Sequence, residues 1–595
     1  MASSSSWLSA HSLTVCRTTA ALRVLAMPMV VAGCATTPRF GLREPFWQDT
    51  DLEPTSVACR VDPNPPRGNP SHRLCSPPPY ESSFAWDATD NLIFRPISRA
   101  FAADPGGEAI NVNSLDEVPD SSWFVNRIGV HAFSPTDVAD GYCGKDVLDP
   151  SAPDGTWTID QGKVNGANPG FRVNVRGIGK FMLKADTPVQ PERATAATSI
   201  ATRLYYAGGW WTPCDSVVYF RPSILALKSG LTVANNSGDT LPFDEKALAK
   251  VLAGATHRGP LVRMVASRWL PGRSLGPFTY AGRNEGDPAD VINHEDRRDL
   301  RGARLMAAWL GHFDSREQNT MSTWMVPEGA DPDSSPGTVR HWIIDIGDAF
   351  GSEWDWLGIS KRLNHAYYFD FGYAAEDFVT LGVQTRPWDR AARSKQGDIF
   401  GFFSSVDFVP EAWRGGYPNP AFNRMTERDA AWAARIIARF TPDMIEATVR
   451  KGDFTLSRHA AYLLEQLLIR QRLILQRYFS RLSPIADLVV TGSLLCGVDL
   501  ARRTETFPAQ QFHYSATLHS GPDLQTTDVA VALPGRAGRI CVVLPSIVAD
   551  GQAREDNTGN YLRVDLFNAS AEKKLQIYLY NLGPKLGYRL VGLER

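Results

Sequence analysis

The residue types best suited to chemistry lie in the middle of the chain. His312-Phe313-Asp314 is followed by Asn319, and further on an apolar run, Trp342-Ile343-Ile344, closes on Asp345-Ile346-Gly347. Upstream, Lys184 ends the run Lys180-Phe181-Met182-Leu183, and Gly162, Gly166 and Gly170 lie in a Gly/Asn/Pro-rich turn before it. A carboxylate such as Asp314 can accept a hydroxyl proton or orient a nucleophile. Asn319 and Asp345 offer oxygens of the kind hard Mg²⁺ takes, and Asp348 is a second carboxylate on the metal side. Lys184 supplies a fixed positive charge for phosphates, and glycines let backbone amides approach them. The chemistry that uses all of these is Mg²⁺-dependent phosphoryl transfer from ATP or another nucleotide. That reaction asks for charge neutralisation and placement rather than covalent help.

Each element alone is common: a lone D-x-G, a hairpin glycine or a solvated strand-end lysine decides nothing. The order carries the weight. A Gly-rich turn, a strand lysine, a helix, H-x-D-x-x-x-x-N and then D-x-G is the order of parts in protein-kinase-like phosphotransferases. The surrounding pattern supplies the elements that must position them. Trp157-Thr158-Ile159, Phe171 to Val175 and Lys180 to Lys184 read as strands. Ala194, Ala197, Ile200, Ala201 and Leu204 share one helical face, ended by Gly208-Gly209. Val217 to Phe220 and Leu261 to Ala266 return as strands, which makes a small antiparallel sheet with one helix.

After Pro271 the pattern is helical. Helices are predicted over Glu295–Leu310, stopped by Gly311, over Arg428–Phe440 and over Ser457–Leu482. The last carries a stripe of Leu464, Leu467, Leu468, Leu475, Tyr478, Phe479 and Leu482, read as core. From about 486 the period changes to alternation, as in Ile540-Val542-Leu544, Leu562-Val564-Leu566 and Leu575-Ile577-Leu579. Several short strands with turns between them predict a β-sandwich. The expected architecture is therefore α+β: a bilobal kinase-like fold followed by a C-terminal all-β sandwich domain. The boundaries are a signal peptide at 1–33, a tether and Pro-rich segment at 34–80, an extension at 81–150, a small lobe at 151–270, a helical large lobe at 271–485 and the sandwich at 486–595.

The amino terminus reads as an address. Residues 1–33 hold Arg17 and Arg23 and no acid, and Val24 to Gly33 is an uncharged run followed by Cys34. That run is too short to span a bilayer, which takes about 20 residues, and fits a signal-peptide core. Val31-Ala32-Gly33-Cys34 resembles the lipobox of bacterial lipoproteins, where the cysteine thiol takes the lipid. The alternative is an ordinary cleaved signal with a chance cysteine. Ala35 after the cysteine fits outer-membrane sorting by the same resemblance. The expected location is the cell envelope, on a lipid anchor in the outer membrane, facing the periplasm or the surface. Export into an oxidising compartment permits disulfides among Cys59, Cys75, Cys143, Cys214, Cys496 and Cys541. Cys59 with Cys75 would brace the Pro-rich stretch, Cys496 with Cys541 would staple the last domain, and Cys143 with Cys214 remains; buried free thiols are the alternative. The 595-residue chain has 62 Lys+Arg against 64 Asp+Glu, a net charge of −2. It lacks the basic surplus of a general nucleic-acid binder, and no nucleic-acid partner is expected.

Blocks of the chain also carry a family resemblance. Leu115-Asp116-Glu117-Val118-Pro119-Asp120-Ser121-Ser122-Trp123-Phe124, Pro169-Gly170-Phe171, Gly276-Pro277-Phe278, His294 to Gly302, Arg340-His341-Trp342 and the closing Leu590 to Arg595 resemble a bacterial family of exported proteins. That family is in turn similar to atypical kinases of the HipA, CotH and secretory-pathway type, from about residue 85 onward. The resemblance implies a kinase-like fold and leaves the reaction open. It also implies that the helix glutamate which holds the strand lysine in active kinases falls in register with Thr198, which cannot form an ion pair. Glu192, further upstream, is either its substitute or simply a helix-start acid favoured by the dipole. Arg297 and Arg298 either bind an anionic substrate or pair at a helix start. Two function classes follow. One is an anchored phosphotransferase acting on a protein, glycan or small hydroxyl compound. The other is a catalytically inactive relative that binds or scaffolds a partner in the envelope, which an ATP-poor compartment favours.

Overall fold

A computed structural model of the chain describes residues 40–42, 49–80, 84–101, 106–144, 148–163, 168–234, 240–354, 356–521, 525–535, 538–545 and 560–595. The predicted signal peptide and Cys34 lie outside the described residues, as does Gly166. The architecture is mixed α+β, with several separate sheets.

The largest sheet has seven strands: β1 (Trp157–Lys163), β2 (Gly170–Val175), β3 (Gly179–Lys184), β4 (Asp215–Phe220), β5 (Leu225–Leu227), β6 (His257–Arg258) and β7 (Leu261–Arg268). Helix α1 (Arg193–Gly208) links β3 to β4, and α2 (Glu245–Gly254) precedes β6. Across the sheet the order is β5-β1-β2-β3-β7, with β4 on the far side of β7 and β6 paired to one end of it. All pairings are antiparallel except β1 with β5. Alternation explains which side is buried: Trp157, Ile159, Phe171, Val173, Phe181, Leu183, Phe220 and Met264 form one core with Val251 of α2.

α1 belongs to a different core. It is buried nearly all round, and Ala196, Ala197, Ile200, Ala201 and Leu204 pack with the helices that follow. Its small residues let it fit between sheet and helices. Those helices are α3 (Arg298–Leu310), α4 (Glu427–Ile437), α5 (Pro442–Arg450) and α6 (Ser457–Phe479). Gly209 and Gly311, both at positive φ, end α1 and α3 where the sequence places the stops. In α6 the stripe is core: Leu467, Leu475, Tyr478 and Phe479 are buried, and Leu464 and Leu468 pack against them. A three-stranded sheet of β8 (Arg273–Gly276), β9 (Thr320–Met325) and β10 (Thr338–Ile343) stands beside α3 in the chain.

From Ile485 onward the chain builds two antiparallel sheets. One has the order β11-β12-β16-β15, from Ile485–Thr491, Leu494–Asp499, Arg539–Val543 and Val531–Ala532. The other has the order β14-β13-β17-β18-β19, from Gln525–Val529, Tyr514–Ser520, Tyr561–Asn568, Leu575–Asn581 and Tyr588–Glu594. Ile485, Leu495, Ile540 and Val542 of the first share a core with Leu518, Val564, Leu566 and Ile577 of the second. Three disulfides are present, Cys59–Cys75, Cys143–Cys214 and Cys496–Cys541. The last ties directly opposed residues of β12 and β16. No helix among the described residues is long and apolar enough to cross a membrane.

The early segment packs on the rest. The Phe40 ring packs tilted on Tyr578 at 4.9 Å, Tyr80 N donates to Leu275 O at 2.8 Å, and Thr55 bridges to Gly337. Asp49 and Asp51 reach the guanidinium of Arg297.

Candidate functional site

Four of the residues singled out from sequence converge, in two close pairs. Lys184 ends β3, and its Nζ donates to Asp345 Oδ1 at 2.6 Å across 161 residues of sequence. Asn319 Nδ2 donates to both Asp314 O and Asp314 Oδ2 at 2.8 Å. The pairs are joined by backbone and carboxylate: Ile344 N donates to Asn319 O at 2.9 Å, and Asp314 N donates to Asp348 Oδ2 at 2.8 Å. The site opens to solvent, with side-chain exposures of 40% for Asp345, 24% for Asp314 and 13% for Lys184.

Local sequence explains the placement. α3 ends at Gly311 in the left-handed region, so the chain turns back and His312 N bonds to Ala307 O. His312 is buried against Tyr205, whose hydroxyl lies 3.1 Å from Nδ1, and its Nε2 is 3.4 Å from Asp348 Oδ1. Burial pushes the imidazole down to about 4, so it is a neutral post under the loop. Glu317 clamps the other end: it accepts from Arg95 at 2.6 Å, from Tyr80 Oη at 3.3 Å and from Tyr280 N at 2.9 Å. The extension before the sheet thus holds the segment between Asp314 and Asn319, a role carried by no motif.

β10 delivers Asp345, which itself sits at φ +55°. Gly347 follows because a Cβ there would lie 2.9 Å from Thr198 Oγ1. The first turn of α1 grips the same loop: Arg193 Nη1 donates to Gly347 O at 2.6 Å and to Ala349 O at 3.2 Å.

The electrostatics separate the acids. Burial alone would push Asp345 up, but the ammonium groups of Lys184 and Lys163 outweigh it and hold the carboxyl at about 2. Burial raises Asp314, with Arg316 opposing and Asp348 reinforcing the rise. Burial likewise raises Asp348. One carboxyl is therefore held low while those of its neighbours are raised toward neutral pH, a division suited to a metal-side ligand and a base.

The donor set fits a hard divalent cation. Asp345 is ionised and accessible, and Asn319 spends its amide nitrogen on Asp314, leaving Oδ1 for a cation. Mg²⁺ is held by one or two such ligands with phosphate and water oxygens completing the shell. Among the described residues no cluster of three His, Cys, Asp or Glu side chains is placed to hold a metal, so oxygens of water or phosphate would complete the shell.

Other expectations resolve differently. Thr198 Oγ1 donates to Ala194 O and packs on Gly347, away from any ion pair. Glu192 does not substitute for it: its carboxylate accepts from Thr455 N at 3.0 and 3.2 Å and from the Thr455 hydroxyl. Its backbone is at φ +67° as the N-cap of α1, and its side chain makes no cap hydrogen bond. Gly162 is closed over by Phe243 and Val233, and a Cβ on Gly170 would strike Leu183 O at 2.0 Å, so packing accounts for both glycines. Arg297 and Arg298 are sealed structural cations, paired with Asp49 and with Asp116 and Asp429. Lys163 and Asp215 were not singled out from sequence, yet both feel the charges of Lys184 and Asp345. The terminal lysine of β1, beside the Gly-rich turn, was the only available hint.

No family model matches the chain, and no curated protein matches it. Among solved structures it is similar to the Golgi casein kinase with Mn/ADP bound, at 13% identity, covering 71% of this chain and 95% of that one with a TM-score of 0.22.

Proposed function

We propose that this chain is a lipid-anchored envelope protein whose bilobal kinase-like fold, followed by a C-terminal β-sandwich, binds a nucleotide with Mg²⁺ and transfers a phosphoryl group to a hydroxyl acceptor. The observation that carries the reading is the 2.6 Å contact of Lys184 with Asp345, beside the Asp314–Asn319 pair. The sheet order β1-β2-β3-β7-β4 with α1 between β3 and β4 supports it, since it sets a strand lysine against a D-x-G loop. Asp345 and Asn319 would hold the cation, which supplies charge neutralisation on the phosphates. Lys184 binds donor phosphate. Asp314, held by Asn319, takes the acceptor's proton. Cys34 carries the lipid, and the acceptor is a protein, glycan or small molecule of the envelope.

Titration with Mg- or Mn-nucleotide, followed by thermal shift and calorimetry, tests the site. Metal-dependent binding that Asp345→Ala abolishes is the expected result, and no response to any nucleotide overturns it. Palmitate labelling that depends on Cys34 tests the anchor.

A specific observation favours a second reading, a non-catalytic binding protein: Thr198 bonds within its own helix and Glu192 is taken by Thr455, so neither supplies Lys184 with a carboxylate. Nucleotide binding without phosphate release or transfer, in the wild-type chain and with a panel of acceptors, would select it.

A further inference from the structure

We propose that Asp215 positions Lys184 when a divalent cation engages Asp345. The inference rests on the metal–nucleotide reading above and deepens it.

The problem is one of charge. The carboxylate in contact with Lys184 is Asp345. A cation on Asp345 repels the ammonium from that carboxylate, and an ammonium only 13% exposed then needs another anion. The helix facing β3 offers Thr198, which has none.

The sheet register supplies one. Lys184 pairs with Val265, and Val265 pairs with Val217 on its other side. Asp215 is two residues along β4 from Val217 and therefore shares that face of the sheet with Lys184. Two strand spacings and two residues separate the Cα atoms by about 12 Å, which a lysine, a hydrogen bond and an aspartate together span.

Asp215 is built for such a task. It is 2% exposed, and its Oδ1, among the described residues, has no hydrogen-bond partner. A buried carboxylate oxygen left in that state is costly unless something claims it. Its backbone is fixed: Arg203 of α1 donates to Asp215 O, and the preceding residue is locked to Cys143 by a disulfide. Ser267, directly opposite on β7, donates to the carboxylate. Burial raises Asp215 to about 6, while Lys184 and Arg203 oppose the rise and Asp345 adds to it. Removing the negative charge of Asp345 by metal binding would favour the ionised form that Lys184 needs.

Amine acetylation read by mass spectrometry tests this, with Lys184 measured against exposed Lys574 in wild type and Asp215→Asn. Mn²⁺ occupancy is followed separately by electron paramagnetic resonance, with Asp345→Ala as the reference. In wild type, Lys184 stays slow to react with or without Mn²⁺. In Asp215→Asn with Mn²⁺ bound, Lys184 reacts about tenfold faster, the effect of losing one opposite charge, while without metal it stays slow. Bound Mn²⁺ with unchanged Lys184 reactivity in the variant overturns the inference and leaves the metal reading standing. Absent Mn²⁺ binding in wild type overturns both. If the variant does not fold, carbodiimide coupling in wild type decides instead. A Lys184–Asp345 link that gives way to Lys184–Asp215 on adding Mn²⁺ is expected, and a link unchanged by Mn²⁺ contradicts it.

Discussion

Two clusters of charge stand within the helical part of the molecule, and they are built on opposite plans. At the start of α3, Arg297, Arg298 and Arg301 are 0–2% exposed and meet Asp49, Asp51, Asp116, Asp296 and Asp429 at 2.6 to 3.7 Å. Arg435 and Arg595 close on Asp116 from two other directions. At the candidate site, Asp345 and Asp314 keep 40% and 24% of their side-chain surface open, and the carboxyl of Asp345 is held low by Lys184 and Lys163 while burial raises that of Asp348. The first cluster compensates its charges and excludes solvent from its arginines, leaving Asp296 at its open edge. The second leaves carboxylates facing water beside one another, an arrangement that costs stability and gains from a cation. Sequence alone presents both as groups of acids and bases near motifs. Burial and pairing tell a girder from a site.

The sealed cluster should fail hardest. Arg298→Ala leaves Asp116 and Asp429 with weakened compensation inside the protein, an expected loss of about 4 to 5 kcal/mol in urea unfolding. Asp345→Asn, by contrast, should leave the urea midpoint unchanged or raised while removing metal-dependent nucleotide binding. A midpoint drop as large as that of Arg298→Ala would erase the distinction drawn here. Next in size, replacing Cys143 and Cys214 together by Ser opens a 71-residue separation between the sheet and the segment before it. Loop-closure entropy puts that loss at about 4 kcal/mol, to be read as a fall in melting temperature under oxidising conditions.

The two clusters also respond to pH with opposite signs. Asp116 is held far below the ordinary carboxylate range: burial opposes this, but Arg298, Arg435 and Arg595 prevail. Its contribution is complete above the unfolded carboxylate pKa of about 4 and is lost as pH falls below it. Asp348 is raised by burial, so its folded form holds a proton that the unfolded chain releases. Stability therefore declines from about pH 4 upward toward neutral pH on its account. Asp348→Asn should remove that decline, making the variant more stable than wild type by about 1 kcal/mol at neutral pH and no more stable at pH 4. An unchanged difference across that window would refute the assignment. The smallest effect belongs to a pair in neither cluster. Arg450 and Glu446 are 62% and 48% exposed on α5, and Arg450→Ala should cost less than about 0.5 kcal/mol.

Much of the positioning frame was legible. Alternation in Phe171–Val175 and Lys180–Lys184, the small-residue face of α1 and the stops at Gly209 and Gly311 all depend on neighbours within a turn or a strand pair. The C-terminal alternation is legible in the same way, whereas in β11 and β12 the runs around Val489 and Leu495 carry apolar side chains on both faces. The missed residues are those whose partners are remote. Glu317 gains its meaning from Arg95, 222 residues away, and Arg193 from the backbone of Gly347, 154 away. Glu192 has two readings in sequence, and its bonds to Thr455, 263 residues away, rule out the lysine partner.

By itself, the sequence determined the order of parts, the periods of strand and helix and the placing of ammonium, amide and carboxyl side chains along them, because those properties are local to a few residues. Only the tertiary structure decided which charges are sealed and which face water, which carboxyls burial raises, and that Asp215 shares a face with Lys184. Those outcomes depend on solvent exclusion and on distances between residues far apart in the chain, and neither quantity exists until the chain has folded.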